Sequence, residues 1–220
     1  MDIMEAMRNR HSVRRYTERG IGEDVAAALM EEIEACNGES GLKIQLVLNE
    51  PEAFGGFMAH YGKLVNVRNY LALVGKEGGG LDERLGYYGE RLVLKAAMLG
   101  LDSCWVALSY SKKKSACRVG PGEALRCVVA LGYGENHGVP HKSKPMEALC
   151  RADNMPDWFR AGMEAALLAP TAVNQQKFFF TLSGTAVKAE ATGGFYSNID
   201  LGIVKYHFEL GAGRENFNWA

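Results

Sequence analysis

Residues 99–107 read Leu99-Gly100-Leu101-Asp102-Ser103-Cys104-Trp105-Val106-Ala107. Upstream, Leu92, Ala96 and Leu99 recur at helical spacing from about Leu85, and Gly100 stands where a helix closes in a left-handed turn. Downstream, a short apolar run fits a buried strand. A helix, a glycine stop and a strand packed this closely predict a chain that alternates helices with short strands.

Working outward, Val25, Leu29 and Ile33 predict an amphipathic helix over 22–35, and Lys43 to Leu48 alternates like a half-buried strand. Val67 to Gly75 is apolar enough for a central strand, and Gly78-Gly79-Gly80 marks a loop. Arg126 to Leu131 forms a further strand, and 135–144 a loop rich in Gly, Pro, His and Lys. Pro156-Asp157 then starts a helix whose stripe is Phe159, Met163 and Leu167, before a strand over Lys177–Leu182. This last pair echoes the first helix and strand at an offset of 134, with Ala35 on Ala169, Lys43 on Lys177 and Leu48 on Leu182. An internal duplication and a coincidence of pattern both stand at this point.

The 220 residues are 47% hydrophobic and 23% charged, with a formal net charge of −1. That balance supports a packed core and argues against non-specific binding to nucleic acid or to an acidic membrane. No run approaches the ~20 apolar residues that span a bilayer. The N-terminus carries acids where a secretory signal would be apolar; Asp2 and Glu5 have capping-box spacing, with Ile3 and Met7 on one face. Five cysteines without a C-x-x-C pair read as reduced thiols of a cytoplasmic protein. The histidines, His11, His60, His137, His141 and His207, form no metal spacing, and no nucleophile elbow, P-loop or dinucleotide fingerprint occurs.

Three further segments offer chemistry. In Arg10-His11-Ser12-Val13-Arg14-Arg15-Tyr16, an extended backbone would aim Arg10, Ser12 and Arg14 at one point, a donor set suited to phosphate. Read blandly, the segment is a solvated basic turn. Lys142 and Lys144 in His141-Lys142-Ser143-Lys144-Pro145 add charge to the same anion, or decorate an exposed loop. In Ala169-Pro170-Thr171-Ala172-Val173-Asn174-Gln175-Gln176, the amides Asn174 and Gln176 match a heterocycle edge such as that of a flavin, or simply follow a helix stop. Trp105 reads as core or pocket wall, and Cys104 as a small buried hydrophobe.

Together and in this order, the segments resemble the nitroreductase (NADH oxidase/flavin reductase-like) superfamily. The opening basic motif and the 99–106 signature carry the likeness, followed by Arg126–Gly134 with the basic loop. The family's Asn/Gln motif ordinarily follows the second helix, where this chain has Ala35-Cys36-Asn37-Gly38-Glu39-Ser40. Here its match falls at 169–176, which, with Asn198–Ile203 and His207–Leu210, resembles the putative TM nitroreductase subfamily. Lys177-Phe178 replaces the usual Pro-Trp.

The resemblance implies an α+β fold with a central, mainly antiparallel sheet flanked by helices. It implies one domain over 1–220, with 1–150 as FMN-binding core and 151–220 supplying a second flavin loop. Arg10, His11, Ser12 and Arg14 are then expected at the phosphate, ribityl chain and pyrimidine edge, with Lys142 and Lys144 at the phosphate. Trp105, Ala107 and Leu108 would lie beside the ring, a backbone N–H of Ala107 or Leu108 near N5. Pro170, Thr171, Ala172, Asn174 and Gln176 would close over it. Hydride would pass from NAD(P)H to FMN and on to an electron-poor acceptor, nitroaromatic- or quinone-like, in ping-pong order, with no catalytic side chain and no metal. Alternatives are a different flavin dehydrogenase or dehalogenase on the same scaffold, a flavin sensor or store without turnover, and a structural domain. The resemblance also implies a homodimer, and Ile199, Leu201, Ile203, Val204, Phe208 and Leu210 offer a helical face either for that contact or for the chain's own core.

Overall fold

Helix α1 (Ile3–Asn9) begins as its capping residues require: Asp2 Oδ1 accepts the Glu5 N–H at 2.8 Å. The computed structural model describes residues 1–57 and 61–220; Met58, Ala59 and His60 lie outside the described residues. Helix α2 (Glu23–Ser40) outruns the expected end at 35. Asn37, beyond that expected end, stays helical and exchanges two hydrogen bonds with the Ile44 backbone, and Gly41 closes the helix at φ 70°. The strand that follows shrinks accordingly to β1 (Gln45–Val47).

Strand β2 (Asn69–Lys76) enters the Gly78–Gly80 turn, which starts α3 (Leu81–Met98). After Gly100 (φ 81°) come β3 (Asp102–Val106) and β4 (Glu123–Gly132). These strands form a fully antiparallel four-stranded sheet of order β1-β2-β4-β3. Alternation along β2 and β4 divides two cores. Leu71, Leu73, Cys127 and Val129 face the helices, while Tyr70, Ala72, Val128 and Ala130 pack with Val13 and Tyr16.

The remainder builds a second four-stranded sheet from β5 (Cys150–Ala152), β6 (Phe178–Ser183), β7 (Ala186–Ala191) and β8 (Asn218–Trp219), in that order. The strands are mixed, β5 and β8 running parallel to their neighbours. Helix α4 (Asp157–Ala166) precedes β6, and α5 (Ser197–Ala212) lies between β7 and β8. The mainly antiparallel sheet flanked by helices is as expected, and this second sheet adds to it.

Topology extends the 134-residue echo. The order α2–β1–β2–α3–β3 recurs as α4–β6–β7–α5–β8, each with an antiparallel strand pair between its helices. Both α3 and α5 start after a left-handed residue, Gly80 (φ 75°) and Tyr196 (φ 57°). Gly86 and Gly202, equally placed in the two helices, meet where they cross: a Cβ on Gly86 would lie 2.0 Å from the Ile199 carbonyl oxygen, and one on Gly202 1.9 Å from that of Glu83. Of the α5 apolar residues offered either to a partner or to the core, all but the half-buried Leu210 are buried in the chain, Val204 and Phe208 fully.

Candidate functional site

The C-terminal end of β3, the start of α5 and two loops enclose a mainly apolar cavity of about 420 Å³, within the usual range of roughly 300–1,000 Å³ for small-molecule sites. Ser12 and Arg14 form one wall; Trp105, Ala107 and Leu108 a second; Pro170, Thr171 and Ala172 a third. Segments from opposite ends of the chain therefore meet at one cavity. Ala107 and Leu108 lie just beyond the last paired residue of β3, Val106.

Six expected residues do not line it. Residues 10–16 are buried with a period of three (Arg10, Val13, Tyr16), so the extended alternation assumed for Arg10, Ser12 and Arg14 does not occur. Arg10 instead caps α1, its N–H bonded to the Ala6 carbonyl, and its side chain enters the interior opposite Arg14. His11 packs its Cβ beside Gly138, with burial first and Arg10 second lowering its imidazole pKa.

The amides Asn174 and Gln176 turn away from the cavity to clamp the basic loop. Both donate to the Lys142 carbonyl, at 2.9 and 3.0 Å, and Gln176 Oε1 accepts the Lys144 N–H at 2.7 Å. The Lys144 ammonium caps the carbonyls of Gln175 and Gln176 at 2.8 and 3.0 Å. A polar turn between two backbones satisfies itself before it serves a ligand. Lys142 keeps an exposed ammonium with no ion pair among the described residues, as does Arg14.

This loop is strained and held. Val173, Asn174 and Gln176 have φ of 46°, 54° and 47°, conformations that a β-branched residue such as Val173 adopts only at a cost of about 1–2 kcal/mol. Asp200, in the first turn of α5, fixes it: Oδ1 accepts the Ala172 N–H at 2.9 Å, and Oδ2 accepts from Gln175 Nε2 at 2.7 Å. Burial raises the Asp200 pKa to about 6, against the lowering effect of those two donors.

The sequence reading gave Asp200 no role of its own and set Ile199 and Ile203 only on a helical face for a partner or the core, whereas all three line the cavity from α5. The quoted stretch Asn198–Ile203 held the signal, an acid at the start of an otherwise apolar helix. Trp105 does form a pocket wall, its indole donating to the buried Glu90 at 2.8 Å. Cys104 is buried in the wall beside it, its thiol raised by burial. All five cysteines are free. Among the described residues no cluster suits a metal ion, and no helix is long and apolar enough to cross a membrane.

At the equivalent place on α3, a polar groove replaces the cavity. Glu83 and Tyr87 stand where α5 has Ile199 and Ile203, and Trp219 of β8 answers Trp105 of β3. Its groups pair with one another: Lys205 with Glu83, Tyr87 with Glu209 Oε2 at 2.5 Å, and Trp219 with Glu209 Oε1 at 2.6 Å.

The model of a family described as "Putative TM nitroreductase" matches residues 2–212. A putative nitroreductase from Thermotoga maritima shares the fold with a TM-score of 0.69 at 22% identity, over 98% of this chain and 85% of that one. A putative nitroreductase from Desulfovibrio desulfuricans, solved in complex with FMN, gives 0.53 at 16% identity, over 68% and 95%. A putative NADH dehydrogenase/NAD(P)H nitroreductase from Parabacteroides distasonis gives 0.53 at 18%, over 67% and 95%. No curated protein matches the sequence.

Proposed function

Because the chain belongs to the putative TM nitroreductase family, we propose that its cavity binds FMN and that the protein is an FMN-dependent oxidoreductase, oxidising NAD(P)H and reducing electron-poor acceptors of nitroaromatic or quinone type. The observation that carries this reading is the meeting of the basic N-terminal segment, the end of β3 and the 170–172 loop around one cavity. The residues fit a phosphorylated planar ring: the walls are largely apolar, and Arg14 among them bears a cation without a carboxylate partner among the described residues.

When bound, the flavin supplies reversible hydride chemistry at its N5. Arg14 and Ser12 hold and orient the ring's polar edge, and the Arg14 guanidinium stabilises negative charge there. Lys142, on the basic loop outside the cavity lining, would reach the phosphate only by its exposed side chain. Trp105, Ala107 and Leu108 position one side of the ring, and Pro170, Thr171 and Ala172 exclude water from the other. Tyr61, Leu108, Val173 and Phe195 leave exposed apolar surface at the mouth, suited to a planar acceptor. The walls that a homodimer would bring together come from one chain, so one flavin per chain is expected without a partner. A cytoplasmic setting, where NAD(P)H and reduced thiols coexist, suits the free cysteines.

Purified protein is expected to show the flavin absorbance bands and to bleach anaerobically with NAD(P)H. Arg14→Ala is expected to weaken FMN binding about tenfold, the loss of one charge-assisted contact of about 1.5 kcal/mol. Protein that stays colourless after incubation with FMN would sink the reading.

A further inference from the structure

Arg10, expected at a phosphate, lies in the interior with Glu90 of α3 and His207 of α5. Arg10 is 6% exposed, and Glu90 and His207 are fully buried. His207 Nδ1 lies 3.1 Å from the Ala165 carbonyl oxygen, which only accepts, so Nδ1 carries a proton. His207 Nε2 lies 2.9 Å from Glu90 Oε1. A bare imidazole nitrogen against a bare carboxylate, at that distance and away from water, would set two acceptors facing each other. One proton must lie between them, as N–H donating to carboxylate or as carboxylic O–H donating to imidazole.

Either placement leaves the Glu90–His207 pair neutral overall. Glu90 therefore does not cancel Arg10, whose Nε sits 3.9 Å from Glu90 Oε1 and whose Nε and Nη1 find no hydrogen-bond partner. The pair's remaining oxygen, Glu90 Oε2, accepts from the indole of Trp105 in the cavity wall. Burial raises the neighbouring wall thiol, Cys104, against the opposing charges of Arg14 and then Arg10.

We propose that Arg10, Glu90 and His207 are positioning residues for the cavity: they hold one shared proton, anchor Trp105, and keep a net positive charge behind the wall. This rests on the flavin reading of the cavity. An uncancelled interior cation favours negative charge arriving nearby, so it makes the bound ring easier to reduce. Arg14 supplies a second cation at the cavity itself, whereas Arg10 acts from behind the wall.

The test is the midpoint potential of FMN-loaded protein, with proton NMR of the flavin-free chain. Arg10→Met removes the charge and is expected to shift the oxidised/reduced equilibrium about tenfold toward oxidised, about 30 mV for a two-electron couple. His207→Phe removes the shared proton's second holder; Glu90 then ionises against Arg10, with the same shift expected. Glu90→Gln preserves the charge count and is expected to keep the wild-type potential. Were Glu90 instead an ionised partner of Arg10 in the native chain, Glu90→Gln would make reduction about tenfold easier and His207→Phe would change nothing.

Loss of FMN from Arg10→Met alone, with the other two variants at wild-type potential, would return Arg10 to the phosphate and overturn the proposal. In the flavin-free chain, a solvent-protected proton resonance downfield of the amides is expected and should vanish in His207→Phe; its absence from the native chain overturns the shared proton. A chain that binds no flavin sinks the proposed function, and the charge effect with it, while this resonance still decides the proton.

Discussion

Gly202→Val is expected to lower the unfolding free energy by about 3 kcal/mol, at the upper end of overpacking costs, measured by urea denaturation. The first added carbon would lie 1.9 Å from the Glu83 carbonyl oxygen and 2.6 Å from the Tyr87 nitrogen. Both are backbone atoms of α3, so no rotamer change relieves the clash. The helices must move apart, giving up the contacts between α3 and α5. Because α5 also carries Ile199, Asp200 and Ile203 to the cavity, the same change is expected to weaken FMN retention.

Gly86→Ala meets the Ile199 carbonyl from the other side and is expected to cost less, since alanine regains about 1 kcal/mol of helix propensity. Combining Gly86→Ala with Gly202→Ala should cost less than the sum, because helices parted for one residue have room for the other. A Gly202→Val loss below about 1 kcal/mol would mean that the crossing is set elsewhere.

Stability is expected to fall as pH rises from 4 to 6, by roughly 3 kcal/mol attributable to Asp200. Its folded-state pKa is raised to about 6, mainly by burial, from an ordinary 3.8. Through that window the folded chain binds a proton that the unfolded chain has released. The contribution is present in full below the unfolded pKa and lost as pH passes the folded one, opposite to a salt-bridged carboxylate. Asp200→Asn removes the titration, so its unfolding free energy should vary less between pH 4.5 and 7.5 than that of the native chain. Equal slopes for the two proteins would show that Asp200 titrates normally. Asn also sets an amide against the Gln175 donor, so the strained 172–175 turn should loosen at every pH.

The helices and strands were legible where periodicity was strong. Phe159 and Met163 in α4, and Leu92 and Ala96 in α3, sit buried as their spacing required. The end of α2 was not, because Asn37 and Gly38 look like a loop until Asn37 finds the Ile44 backbone across the turn. Side-chain direction was harder to read than element type. Arg10 and Arg14 are identical residues in one motif, yet α1 ends at Arg10 and rotates its side chain inward. Asn174 and Gln176 were legible as hydrogen-bonding amides, but their partners lie on a loop some thirty residues away. Asp200 was hidden by context: its importance comes from burial against a turn that sequence alone does not bring near it.

The glycine crossing of α3 and α5 joins two similar halves that a covalent chain keeps at fixed proportion. Dilution cannot separate them, so the affinity for the cofactor should be indifferent to protein concentration. A symmetric pair must also accept every substitution twice, once in each copy. Here the two halves are encoded separately, and one carries the paired groups of Glu83, Lys205, Tyr87 and Glu209 where the other has an open apolar cavity.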